Sequence, residues 1–188
     1  MPKLTLRRFS IKDLILIAAM AALGIAVKTI VTPLIHLASA PLFIPGGALA
    51  GGLYMMWLVV ASGITGKCGA ATLAGLVQAI LVILTGVGGS HGLLSLVSYT
   101  LPGLAIDLLL LISGHRICCL VCAFVSCILA NLLGTVSVNL IFFQLPLIPL
   151  LLSLAAAAFS GGVGGVLSWH LLIALRKFDI IPQGARDC

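Results

Sequence analysis

The stretch LLSLVSYTLPGLAIDLLLLIS (93–113), GHR (114–116), ICCLVCAFVSCILANLLGTVSVNLIFF (117–143) decides the fold. It is two apolar runs of 21 and 27 residues joined by a three-residue turn, and it carries only two charged residues, Asp107 and Arg116. A run of about 17–25 apolar residues spans a bilayer core as a helix. Two such runs on a turn this short make an antiparallel hairpin of membrane helices, with Pro102 as a kink in the first.

Outward from this hairpin the same pattern repeats. Gly, Pro and charge mark the breaks. The runs fall at 11–31, 46–64, 69–87, 93–113, 117–143 and 149–175. A loop carrying Pro33, Pro41 and Pro45 separates the first two, and Gln144-Leu145-Pro146 separates the last two. The expectation is all-α: a single membrane domain, 1–188, of six transmembrane helices. Composition agrees, since 62% of residues are hydrophobic and only 7% charged, against about 25% charged in a soluble domain. Such a chain cannot cover a soluble fold with polar surface. A soluble enzyme and a nucleic-acid binder are therefore excluded as readings.

The net charge of +6 is explained by position. Lys3, Arg7, Arg8, Lys12, Lys67, Arg116, Arg176, Lys177 and Arg186 lie at one set of helix ends, and Lys28 lies inside the first helix. The positive-inside rule then puts both termini in the cytoplasm. No cysteine falls in an outer loop, so no disulfide is expected. Cys119-x-x-Cys122 has zinc-like spacing without a second ligand pair, and small hydrophobes are the expected role. The first run, read as a retained helix, is not expected to be a cleaved leader.

Small residues stand in for hydrophobic drive where helices meet in lipid. Ala18, Ala22 and Ala26 form such a stripe on the first helix. It suits either packing within the bundle or docking of another membrane protein. Gly161, Gly162, Gly164 and Gly165 in the last helix suit internal packing.

Polar groups at membrane depth mark pairings or sites. At 1.5 Å per residue, Tyr99, Asn139 and Lys28 lie about 10, 7 and 5 Å below the outer ends of their helices. With Ser95, Gln144, His36 and the loop residue His91 they outline a small polar pocket open to the outside, suited to a small molecule. Asp107 lies too deep for that pocket and is expected to pair with Arg116, His115 or His170. Asn131 and Gln78 are expected to bond backbone or each other. Tyr54, Trp57 and Trp169 read as apolar bulk. No Walker loop, no His-Glu-x-x-His, no Gly-x-Ser-x-Gly and no Glu occur. Neither catalysis, a cofactor nor a metal site is expected, and any energy source must be borrowed.

Size, six helices, inner termini and the Ala18-x-x-x-Ala22 stripe give a chain that resembles a substrate-binding S component of an energy-coupling factor (ECF) vitamin transporter. The stretch Gly66-Lys67-Cys68-Gly69-Ala70-Ala71 resembles a Lys-Pro-Gly-Ala-Ala segment of the hydroxymethylpyrimidine/thiamine (YkoE-like) subgroup, with Cys68 in place of the Pro. The cobalt and nickel branch of that family calls for an N-terminal His, where Pro2 stands here. The resemblance implies a prokaryotic plasma-membrane protein that binds a vitamin or precursor, thiamine or hydroxymethylpyrimidine, from outside. It further implies docking by helix 1 on a transmembrane coupling subunit with two ATPases. Lys28 points instead to an anionic group on the substrate. The alternative is a stand-alone secondary carrier or channel.

Overall fold

The structure, a computed structural model, describes residues 9–39, 46–86, 94–114 and 116–178, and for residues 36–39 the backbone only. Everything regular in these residues is helical: α1 (Ile11–Ser39), α2 (Gly46–Thr65), α3 (Ala70–Thr85), α4 (Leu94–Ser113), α5 (Leu120–Val138) and α6 (Leu147–Lys177). A π-helical turn, Asn139–Phe143, continues α5. Five helices are long and apolar enough to cross a membrane. The exception is α3, whose 16 residues reach about 24 Å against a hydrocarbon core of about 30 Å.

Local chemistry sets the helix starts. Ser10 and Asp13 form a capping box at α1: the Ser10 amide donates to Asp13 Oδ2 at 2.7 Å, and the Asp13 amide donates to Ser10 Oγ at 3.3 Å. Asp13 also pairs with Lys67, which ties the start of α1 to the α2–α3 turn. That turn uses left-handed backbone at Gly66 (φ 60°) and Gly69 (φ 89°), where a side chain would be strained. Lys67 and Gly69 of the quoted Lys-Cys-Gly-Ala-Ala stretch thus have structural work at this corner.

Gly69 has no side chain with which to cap α3. A carboxylate from α4 takes over that role: Asp107 Oδ2 accepts from the Thr72 amide at 2.8 Å and from Thr72 Oγ1 at 2.6 Å. Negative charge at a helix N-terminus satisfies an orphan N–H and the macrodipole together. The partner shown for Asp107 is therefore a helix end; His115, one of the partners expected from the sequence, lies outside the described residues.

The first helix runs eight residues beyond the expected end at Val31, through Pro33 to Ser39. Proline removes one backbone donor from a helix interior. A chain in lipid still keeps its remaining backbone groups paired best by staying helical.

The central helix is α2, which packs against all five others, while α1, α3, α4, α5 and α6 follow one another around it. Close approach needs glycine at two crossings. A Cβ at Gly164 would stand 3.0 Å from Gly52 Cα, and one at Gly161 would stand 2.8 Å from Ile128 Cα. The last-helix glycines thus pack inside the bundle, as their pattern predicts. Asn131 Nδ2 bridges α2 and α6, donating to Ala48 O at 3.2 Å and Ala157 O at 2.8 Å. Gln78 is fully buried but makes no hydrogen bond to Asn131 or to any backbone group.

Candidate substrate cavity

A cavity of about 150 Å³ lies where the C-terminal part of α1, the starts of α2, α4 and α6, and the end of α5 converge. Four of the residues expected from sequence meet there: Lys28, Ser95, Tyr99 and Asn139 all line it. Gln144 does not. It is exposed, at φ 43°, and its amide donates to Asn139 O at 2.8 Å, closing the π turn. The side chain of His36 and the whole of His91 lie outside the described residues.

The cation is the centre of the site. Lys28 Nζ donates to the Tyr99 hydroxyl and lies 4.8 Å from the Tyr99 ring centroid and 5.6 Å from that of Tyr54. Two aromatic faces this close favour a cation through their quadrupoles. Asn139 is held by its oxygen: Leu145 N donates to Asn139 Oδ1 at 3.0 Å. That leaves its NH₂ group for the cavity. One turn beyond Lys28, Thr32 lines the cavity with a buried hydroxyl that has no partner. Met55, Val138, Phe143 and Leu145 supply apolar wall.

Tyr54, which the sequence pattern presents as bulk, also lines the cavity, with Ser98, a polar group at membrane depth, and with Thr32 and Ser153, which the pattern does not mark. Thr32 could have been found, because four residues after Lys28 is the same face of a helix. Tyr54 and Ser153 carry no such mark, since their role depends on how helices pack.

Several charged and thiol side chains gather at the other end of the bundle. There Lys67 meets Asp13, and Arg176 Nη2 donates to Ile117 O at 3.2 Å. Cys118, Cys119 and Cys122 bring their sulfurs within 4.8 Å of one another at the start of α5. The third thiol, Cys118, enlarges the Cys119-x-x-Cys122 pair seen in sequence, and none of the three reaches the cavity.

The stripe on α1 is also placed. Ala18, Ala22 and Ala26 are all exposed, while Ile17, Ala21, Gly24 and Ile25 face the bundle. Among the described residues, the small-residue stripe therefore faces away from the bundle.

With the helical bundle and its cavity in place, the chain can be set beside known proteins. A family model described as "ABC-type cobalt transport system, permease component" matches residues 12–133. The chain belongs to that family, and is a multi-pass membrane protein. Its fold is that of a crystal structure described as an S-component of an ECF transporter: TM-score 0.77, 16% identity, covering 92% of this chain and 88% of the other. No curated protein matches.

Proposed function

We propose that this chain is the substrate-specificity subunit of an ECF-type importer. It takes a small vitamin or vitamin precursor from outside and delivers it through a transmembrane coupling subunit driven by two ATPases. The observation that carries this reading is the cavity built by Lys28, Tyr54, Tyr99 and Asn139, with polar groups placed in an otherwise apolar wall. Family membership and the shared fold support it. So does the outward-facing Ala18, Ala22, Ala26 stripe, which offers a close-packing surface to a coupling subunit.

All six helices cross the membrane in this reading, with both termini cytoplasmic. Lys67, Arg116 and Arg176 sit at the end away from the cavity, so the positive-inside rule turns the cavity outward.

Substrate size and chemistry narrow the choice. A cavity near 150 Å³ holds about one six-membered aromatic ring. Hydroxymethylpyrimidine, with one ring, fits better than thiamine, which has two rings and a fixed positive charge beside Lys28. Cobalt, which the family description names, suits the cavity least. Its described lining has no His, Cys, Asp or Glu to ligate the ion and presents a lysine instead.

Mass spectrometry of small molecules that co-purify with the protein, followed by calorimetry with the compound found, tests the proposal. A single-ring metabolite bound one to one is expected. A lipid alone, or a bound divalent metal, would contradict it.

A further inference from the structure

Lys28 is half-buried among groups that favour a cation, and among the described residues none supplies it a counter-charge. Its contacts are the Tyr99 hydroxyl and the faces of Tyr99 and Tyr54. The sequence has four side-chain carboxylates, Asp13, Asp107, Asp179 and Asp187. Asp13 pairs with Lys67, and Asp107 caps α3 through Thr72. Along α1, Asp13 and Lys28 are separated by about 22 Å of helix. Asp179 and Asp187 come after α6 in the sequence and lie outside the described residues. An ammonium held in a low-dielectric site is costly without an anion.

Around Lys28 the cavity offers hydrogen-bond donors. The Tyr99 hydroxyl accepts from Lys28, so its own hydrogen is available to the cavity. The Asn139 NH₂ is available because its oxygen is occupied by Leu145 N. Thr32 Oγ1 is buried and unpartnered on the same face of α1. One fixed positive charge with three neutral donors is complementary to a small oxyanion.

We propose that the ligand is a single-ring compound bearing one carboxylate or phosphate group, and that this group docks on Lys28, Tyr99 and Thr32. The ring then lies against Met55, Val138 and Phe143. This rests on the importer-subunit reading and adds the charge of its substrate. It selects the anionic form of a ring compound over its neutral twin and over any cation. For hydroxymethylpyrimidine, that form is its phosphate ester.

The test is calorimetry in detergent with two matched pairs: pyridine-3-carboxylate against its amide, and hydroxymethylpyrimidine phosphate against the free alcohol. At least one anion should bind about tenfold or more tightly than its twin. Lys28→Met should abolish that preference, and Lys28→Arg, which keeps the charge, should preserve most of it. Elution profiles and melting curves show whether each variant is folded. If Lys28→Met does not fold, the Lys28→Arg result and the wild-type preference decide.

Tighter binding of the neutral twins, or a preference that survives in folded Lys28→Met, overturns the charge inference and leaves the importer-subunit reading standing. No binding by any of the four overturns the charge inference. If no single-ring metabolite co-purifies either, the substrate reading falls with it. An anionic lipid headgroup is the other source of the same chemistry. Added phosphatidylglycerol should leave the acid affinity unchanged; competitive loss of acid binding would assign Lys28 to lipid and overturn the proposal.

Discussion

At the residue scale, two buried polar groups do different work. Asp107 caps a helix that has only glycine at its own N-cap. Asp107→Ala should lower stability by about 1–2 kcal/mol, read as a lower melting temperature in detergent. Ligand affinity should change little, because the site is remote from the cavity. Tyr99 belongs to the cavity instead. Tyr99→Phe removes the hydroxyl that accepts from Lys28 and should weaken binding of the co-purified compound by about 1–3 kcal/mol in calorimetry. Depth along the helix was enough to bring Lys28, Tyr99 and Asn139 together from sequence, because each is a polar residue in an apolar run. Thr32 and Tyr54 escaped notice for opposite reasons. A threonine is ordinary in a membrane helix, and a tyrosine among Gly and Met reads as bulk. The Asp107 partner was also hidden, since a backbone amide leaves no trace in side-chain patterns.

At the scale of elements, α1 has two faces with separate tasks. Ile17, Ala21 and Ile25 face the bundle, while Ala18, Ala22 and Ala26 are exposed. A double replacement, Ala18→Trp with Ala22→Trp, should abolish uptake by the assembled importer and leave calorimetric binding intact. Equal loss of both activities would remove the docking role. Internal crossings behave differently. Gly164 lies against the Gly52 backbone, so Gly164→Leu should force α6 from α2 and prevent recovery of folded protein in size-exclusion chromatography. Sequence marked both small-residue sets, assigned the glycines of α6 to internal packing and left the alanine stripe of α1 open between packing and docking. A period of four is the same for a face that packs within the chain and one that packs outside it. The extent of α1 was misjudged for a related reason. Pro33 is a breaker in soluble proteins, whereas a helix in lipid has few other ways to pair its backbone.

At the scale of the whole molecule, polarity divides the bundle into two ends. One holds Lys67, Asp13, Arg116 and Arg176; the other holds the cavity. The division was legible because charge placement is a property of the chain order alone. The cavity's shape was not, as it needs five helices in register. The proposed orientation can be checked by labelling. Gly47 lines the cavity in open space, so Gly47→Cys should react with a membrane-impermeant maleimide in intact cells. Cys68, in the α2–α3 turn, should react only after the cells are opened. The reverse pattern would invert the topology.

The central claim is that this chain binds but does not by itself drive transport. Proteoliposomes answer it most directly, with the radiolabelled co-purified compound as cargo. The account predicts no accumulation with the chain alone, and ATP-dependent accumulation when the coupling subunit and its two ATPases are added. Accumulation by the chain alone, with no ATPase present, would contradict it.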